Sequence, residues 1–337
     1  MGRGLEMVSD GISLVTGAAG FMGSHLVEHL LKAGIQVRAT SRPRKDTSFF
    51  DRRGVEYVGA DLTRPETLPA LFEGPVDRVF HLGAICNFST PYSKLRPTNV
   101  DGVKALSGLA LEKGVQRFIH VTSTSVYGRY RGRPFREDDP REPCNDYGRS
   151  KKDGEDVIFG RIEEGLPAVI ARPCTVYGPR CNDGAGKVFS RPSAIGAIPG
   201  SGRQRLANIR AEDVAGALLH LSLRDDARGQ AYNLAEDTNP TLEEALALAA
   251  ETFGTPPPTR HLPLAVVRTA ARVGGFLAGL SGKIPDLEYD ATAFLYDDYI
   301  VDTTKLKATG FRLAYPDFTA SMHQMQTWYR QTHGSFS

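Results

Sequence analysis

Residues 15–26 read VTGAAGFMGSHL (Val15 to Leu26), and this stretch decides the fold. Gly17, Gly20 and Gly23 stand at intervals of three, between an apolar run (Ile12 to Thr16) and a helical pattern (Gly23 to Ala33) with Leu26, Val27, Leu30 and Leu31 on one face. Gly17 permits a tight exit from a buried strand. Gly20 removes a side chain where backbone must approach a pyrophosphate, and Gly23 lets the helix pack closely on the strand. The helix start supplies unpaired N–H groups and the positive end of a dipole. A glycine triplet alone is a weak signal, but between a strand and a helix it predicts a dinucleotide site, with Phe21 and Met22 in the same turn.

The pattern continues outward. Strands are predicted at Gln36–Thr40, Val55–Val58, Arg78–Leu82, Arg117–Thr122 and Ala168–Ala171, and helices at Pro65–Phe72, Val100–Lys113 and Tyr147–Glu164. Such alternation means an α/β fold, a doubly wound parallel sheet of Rossmann type covered on both faces. Right-handed crossovers then bring every strand's C-terminal end to one edge, where ligands of such sheets bind. Residues 180–207 are rich in Gly, Arg and Ser and read as loops; Glu212–Leu223 returns to helix and Ala231–Leu234 to strand. Pro256–Pro258 breaks the chain, and residues from about 241 to 330 look mostly helical. The expected division is a dinucleotide-binding domain at 11–179, joined again by 208–235, and a smaller, mostly helical C-terminal substrate lobe at 180–207 and 236–330.

The totals exclude several classes. The chain has 337 residues, 41% of them apolar, enough for a large core. Its 41 Lys and Arg against 39 Asp and Glu give no reason to expect nucleic acid or an anionic membrane as partner. No run of about 18 apolar residues spans a bilayer. The first eleven residues lack the apolar segment of a secretory signal and read as a frayed leader. Cys86, Cys144, Cys174 and Cys181 show neither CxxC nor metal spacing, which suggests thiols in a reducing cytoplasm. His25, His29, His81, His120, His220 and His261 are scattered and read as structural, so no metal is expected.

The second strand ends in Val37-Arg38-Ala39-Thr40-Ser41-Arg42-Pro43-Arg44-Lys45. A carboxylate at this point would meet a ribose 2′-hydroxyl; Ser41 and Arg42 instead suit a 2′-phosphate, so NADP is favoured and NAD is the alternative. Tyr147-Gly148-Arg149-Ser150-Lys151 is YxxxK, and its ends share a helix face. A phenol's ordinary pKa is about 10, and a nearby ammonium would lower it. Upstream, Val121-Thr122-Ser123-Thr124-Ser125-Val126-Tyr127-Gly128 is a strand end loaded with hydroxyls.

With GxxGxxG, YxxxK and Arg172-Pro173-Cys174-Thr175-Val176-Tyr177-Gly178-Pro179-Arg180, the chain resembles the extended branch of the short-chain dehydrogenase/reductase superfamily over about residues 11–235. The resemblance implies that Asp61, with Leu62, contacts adenine, and that Leu82, Gly83 and Ala84 pass under the cofactor, with Pro173 close by. Ser123, four residues before Tyr127, would bind substrate, leaving Thr122, Thr124 and Ser125 as turn and capping groups. Asn99 would hold a water in the proton path, although a plain N-cap explains it equally. Lys151 would bind the nicotinamide ribose as well as tune Tyr147. Hydride transfer between a secondary alcohol and a ketone follows, with Tyr147 moving the hydroxyl proton. A homodimer is implied too.

Three functions stand against one another. The first is an NADP-dependent oxidoreductase of a bulky, largely apolar small molecule, similar to the 3β-hydroxysteroid dehydrogenase-like members. The second is a nucleotide-sugar epimerase using tightly bound NAD. Thr124 and Ser125 stand where a 4,6-dehydratase needs Asp and Glu, so dehydration is not expected. Gln204 to Asp213 lacks the Asp and the aromatic residue that sugar-nucleotide enzymes tend to carry, although Arg203, Arg205 or Arg210 could hold a phosphate. The third is a cofactor-sensing protein without catalysis, disfavoured because Tyr147 and Lys151 are both kept. Two stretches allow a bland and a sharp reading. Leu262–Leu280 is a lobe core or an apolar lid, and Arg129 to Asp139 is a self-paired loop or a clamp for an anionic substrate group.

Overall fold

The computed structural model describes residues 11–43, 46–181, 185–190, 196–280, 285 and 287–333. Residues 1–10 of the expected leader, and Arg44 and Lys45, lie outside the described residues. The strands are β1 (Ile12–Thr16), β2 (Val37–Thr40), β3 (Glu56–Tyr57), β4 (Val76–His81), β5 (Arg117–Val121), β6 (Ala168–Pro173), β7 (Thr175–Tyr177), β8 (Ile198–Pro199), β9 (Asn208–Arg210), β10 (Ala231–Leu234) and β11 (His261–Leu262). Seven of them form one sheet in the order β10-β6-β5-β4-β1-β2-β3, parallel at every pairing. The chain builds outward from β1 to β3, then crosses back to lay β4 on the other side of β1. The strand order therefore reverses between β1 and β4, the switch point at which such sheets open a crevice.

The helices are α1 (Phe21–Lys32), α2 (Ser48–Asp51), α3 (Tyr92–Arg96), α4 (Gly102–Glu112), α5 (Asp146–Glu163), α6 (Ala211–Ser222), α7 (Leu242–Thr252), α8 (Leu264–Leu280), α9 (Thr304–Ala308) and α10 (Phe318–His333). Successive β1 side chains go to opposite faces. Val15 joins Leu26 and Leu30 of α1 and Val214 and Leu218 of α6, whereas Leu14 joins Leu106 of α4 and Ile158 of α5. A third core gathers Tyr177 and Phe189 with Leu242 and Leu246 of α7 and Phe318 and Met322 of α10.

Two predicted helices differ. Pro65–Phe72 is a pair of 3₁₀ turns, Pro65–Thr67 and Pro69–Phe72, because Pro69 lacks the N–H that an α-helix would use. The helix expected from Val100 begins at Tyr92 and runs through a π turn, Pro97–Asp101, into α4. The π turn absorbs Pro97 in mid-helix. Asn99 is therefore no N-cap.

Arg172 is fully buried and ties the frame together. Its Nε and Nη2 donate to the Glu155 carboxylate at 2.9 and 2.7 Å, and its Nη1 donates to Tyr127 Oη at 2.8 Å and to the Glu137 carbonyl at 2.9 Å. Tyr127 in turn donates to Asn233 Oδ1 at 2.7 Å. Arg172 of the motif thus joins β6 to α5 and, through Tyr127, to β10.

Candidate active site

The turn after β1 is built from its glycines. Gly17 has φ +66°, a conformation that penalises side chains, and a Cβ there would lie 2.8 Å from Gly83 N. A Cβ on Gly23 would lie 2.1 Å from the Gly17 carbonyl oxygen, so the close approach is between α1 and the turn that precedes it. Gly20 caps α1 without a side-chain hydrogen bond. Its own missing Cβ would touch only Gly17 O, at 3.1 Å. The first-turn N–H groups of α1 thus face a backbone surface clear of side chains, a cradle that fits a pyrophosphate. Phe21 and Met22 are half-buried in the same turn.

The segment after β4 is pinned beside this cradle. Thr16 Oγ1 lies 2.7 Å from His81 Nδ1 and accepts the Gly83 N–H at 3.0 Å. Leu62 covers Gly83: a Cβ there would be 3.0 Å from Leu62 Cδ1. Leu82 and Gly83 are half-buried, Ala84 is exposed, and Pro173 is buried at the end of β6. Asp61 Oδ1 accepts from the Thr63 N–H at 2.9 Å and from its hydroxyl at 2.8 Å. These bonds first, then the nearby Arg42 and Arg64 charges, hold the carboxyl below its ordinary range. Ser41 Oγ pairs with Tyr57 Oη at 3.0 Å. Arg42 is exposed and makes no side-chain hydrogen bond or ion pair among the described residues.

The hydroxyl cluster and YxxxK meet at the carboxyl edge. Ser123 follows β5, and its Oγ accepts the Ser125 N–H and donates to Ser125 Oγ, both at 3.1 Å. Asn145 Oδ1 caps α5 by accepting the Gly148 N–H at 2.7 Å. That cap sets Tyr147 in the first turn, buried, with Lys151 one turn later. Lys151 Nζ donates to the carbonyl of Val121, the last residue of β5, at 3.0 Å. Asn99 is buried in the π turn: its Oδ1 accepts the Ile85 N–H at 2.8 Å, and its Nδ2 donates to Ile85 O and to Ser150 Oγ, both at 3.0 Å. It locks the segment after β4 to α5.

The electrostatics differ from the expected picture. Burial pushes the Tyr147 phenol well above its ordinary pKa; Cys86 and Glu288 add to this, and a hydrogen bond with Ser123 opposes it. Burial also pushes Lys151 down to about 8, against the pull of Cys86 and Glu155. The expected lowering of Tyr147 by Lys151 is not what dominates here. The ammonium is turned to the Val121 carbonyl, and a dry site favours the neutral form of both groups.

Sequence reasoning missed the residues that wall the phenol. Cys86 Sγ donates to Tyr147 Oη at 3.4 Å. Phe88 meets Tyr147 edge-on at 5.0 Å between ring centroids, Phe294 meets Phe88 at 5.7 Å, and Tyr299 meets Phe294 at 4.9 Å. Tyr299 Oη donates to the Thr124 carbonyl at 2.6 Å. Glu288 Oε2 accepts the Ser89 N–H at 2.7 Å. Cys86 and Phe88 were within reach, since they follow Ala84 at the sheet's carboxyl edge. Glu288, Phe294 and Tyr299 carry no local signal, because the tail brings them from far along the chain.

The charged loop pairs with itself and its neighbours: Arg133 with Asp139, Arg131 with Glu142 at 2.8 Å and Arg136 with Asp302 at 3.3 Å. Arg210 is buried and paired with Glu212 at 2.6 Å, which removes it as a phosphate ligand, while Arg203 and Arg205 are exposed. Among the described residues no group of three His, Cys, Asp or Glu side chains could hold a metal, and no helix is long and apolar enough to cross a membrane.

Comparisons with known proteins agree with this architecture. The signature of the NAD dependent epimerase/dehydratase family matches residues 13–235. The uncharacterized protein YbjS of Escherichia coli is 27% identical, over 87% of this chain and 90% of its own. A 4-hydroxy-2-methyl-3-oxo-4-farnesyl-3,4-dihydroquinoline-1-oxide ketoreductase of Stigmatella aurantiaca is 26% identical, over 78% of this chain and 79% of its own. The fold is also that of a Thermus thermophilus UDP-glucose 4-epimerase solved with NAD, with a TM-score of 0.76 and 24% identity over 95% of this chain and 99% of that one. The match over most of the sheet, together with the glycine cradle at its switch point, makes this chain a member of the NAD dependent epimerase/dehydratase family, enzymes of the extended short-chain dehydrogenase/reductase type.

Proposed function

We propose that the protein is an NADP-dependent oxidoreductase that interconverts a secondary alcohol and a ketone on a bulky, largely apolar small molecule. The observation that carries this reading is the chain of rings running from Tyr147 through Phe88 and Phe294 to Tyr299. It lines the approach to the phenol with apolar surface and little that would bind a diphosphate. When bound, the nicotinamide supplies or takes the hydride. Tyr147 gives its proton to the carbonyl oxygen, and Ser123 donates a hydrogen bond to the same oxygen. Lys151 stabilises the phenolate left behind, and Asn99 fixes the geometry of α5 beneath it. In the reverse direction the same groups collect the alcohol proton.

Gly17, Gly20, Phe21, Met22 and Gly23 would cradle the pyrophosphate, and Asp61 and Leu62 would flank the adenine. Leu82, Gly83, Ala84 and Pro173 would line the nicotinamide half. Ser41 and the exposed Arg42 favour a 2′-phosphate, hence NADP. In this reading 11–179 and 208–235 hold the cofactor, 180–207 and 236–330 shape the substrate site, and the protein works as a homodimer. A second reading, a nucleotide-sugar epimerase with tightly held NAD, is supported by the structural likeness to such an epimerase and by the exposed Arg203 and Arg205. Absorbance at the reduced-nicotinamide band, with NADPH and NADH against a panel of apolar ketones and UDP-sugars, separates the two. The first reading expects net NADPH consumption with a ketone. Conversion of a UDP-sugar without net cofactor change would overturn it.

A further inference from the structure

The tail touches the hydroxyl cluster through one peptide group. Tyr299 Oη donates to the Thr124 carbonyl at 2.6 Å, across 175 residues of chain. That carbonyl shares its peptide with the Ser125 N–H, and the Ser125 N–H donates to Ser123 Oγ at 3.1 Å. One planar unit therefore stands between the two hydroxyls: the Tyr299 O–H meets its oxygen, and its hydrogen meets Ser123 Oγ.

Tyr299 is held on several sides. Its N–H donates to the Arg205 carbonyl at 2.8 Å, and its own carbonyl accepts the Ala207 N–H at 2.9 Å. In the residues that follow, the Ile300 carbonyl accepts the Phe135 N–H at 3.0 Å, and the Asp302 N–H donates to the Phe135 carbonyl at 2.8 Å. The ring meets Phe294 edge-on at 4.9 Å and lies 5.5 Å from Phe135. A phenylalanine would satisfy those ring contacts equally well, so the hydroxyl has another task. Burial pushes this phenol well above its ordinary pKa, and it stays protonated, a donor. Thr124 and Ser125 are buried as well, which shields the chain of bonds from water.

Hydrogen bonds that share a peptide strengthen one another. A donor on the carbonyl oxygen draws electron density toward it and leaves the N–H more positive. The bond into Ser123 Oγ then tightens, and the Ser123 O–H becomes a better donor. Ser123 Oγ at present donates to Ser125 Oγ at 3.1 Å. To serve a substrate carbonyl, that proton must turn away from Ser125 Oγ, and the Ser125 N–H keeps the oxygen in place while it turns.

We propose that Tyr299 is a positioning residue: through the Thr124–Ser125 peptide it fixes Ser123 Oγ and polarises the Ser123 O–H that meets the substrate oxygen. The catalytic consequence rests on the function proposed above; the coupling of Tyr299 to Ser123 does not.

The test is a double-mutant cycle of Tyr299→Phe and Ser123→Ala, read by single-turnover NADPH oxidation at saturating ketone. Tyr299→Phe removes one oxygen atom and keeps the ring. It should slow the chemical step roughly five- to tenfold, with KM for the ketone and NADPH affinity within about twofold of wild type. In the Ser123→Ala background the same change should cost less than about twofold, because the group it acts on is gone. A second readout needs no turnover: the Ser125 amide proton resonance should move upfield in Tyr299→Phe, as its hydrogen bond weakens. An unchanged rate, an equal loss in both backgrounds, a raised KM with an unchanged rate, or an unmoved Ser125 resonance would each overturn the assignment. If the wild-type protein consumes no ketone, the proposed activity fails, and the Ser125 resonance alone decides whether Tyr299 is coupled to Ser123.

Discussion

The Cys86 thiol donates its hydrogen bond to the Tyr147 phenol oxygen at 3.4 Å, and Phe88 meets the same ring edge-on. A carbonyl that takes the Tyr147 proton must share this space. A group attached to the exposed Cys86 sulfur would fill it. N-ethylmaleimide is expected to abolish turnover, and Cys86→Ala should resist the reagent while keeping activity within about threefold. Cys144 is also exposed, so equal inactivation of Cys86→Ala would assign the effect elsewhere.

Arg42 stands just past β2, near enough to Asp61 to lower its pKa but in no ion pair among the described residues, and position 41 beside it is Ser rather than a carboxylate. Arg42→Ala is expected to weaken NADPH by roughly ten- to a hundredfold and NADH by less than about threefold, as for loss of a charge-assisted contact. Fluorescence titration with both cofactors reads the ratio. Equal losses would place the 2′-position away from Arg42.

Glu155 and Arg172 are both fully buried and ion-paired, and the less buried Arg141 also reaches Glu155 Oε2, at 3.1 Å. Removing one partner leaves an uncompensated charge in the core, so Glu155→Ala should destabilise by about 3–5 kcal/mol in urea unfolding. Glu155→Leu with Arg172→Met should recover much of that loss, because neither charge then remains to be desolvated. If the double variant is as unstable as the single one, packing rather than charge carries the effect.

Glu236 is buried; its Oε1 accepts the Tyr177 hydroxyl at 2.7 Å, and its Oε2 has no hydrogen-bond partner among the described residues. Burial pushes its pKa up from 4.5 to about 8. A raised folded-state pKa means that the folded protein holds a proton the unfolded chain releases. The stability this confers is complete below the unfolded value of about 4.5 and is lost as pH rises through about 8. Relative to Glu236→Gln, the wild-type melting temperature should fall between about pH 4.5 and about pH 8 and level off above that. Parallel curves would show that the carboxyl does not hold its proton.

Much of this was legible in sequence, for reasons that particular residues make plain. The glycine turn, the alternation of strands and helices, and the i, i+4 pair Tyr147 and Lys151 are local patterns, and local patterns survive reading in one dimension. The N-cap alternative for Asn99 failed because Pro97 concealed a π turn inside a continuous helix. What the Arg-Pro motif does was hidden, because a sequence does not show that Glu155 holds Arg172. The phenol's surroundings were hidden for another reason. Phe294 meets Phe88, Tyr299 meets the Thr124 carbonyl and Glu288 meets Ser89 only after the tail has folded back. The direction of the Tyr147 shift depends on that burial, so a neighbouring lysine in sequence did not reveal it.

In the proposed reaction Tyr147 moves the proton while the glycine cradle holds the dinucleotide. The most direct measurement is single-turnover oxidation of NADPH by Tyr147→Phe with an accepted ketone, alongside NADPH binding by fluorescence. The expected result is a chemical step slower by at least about a hundredfold with NADPH affinity unchanged within about twofold. A variant that retains the wild-type rate would contradict the account.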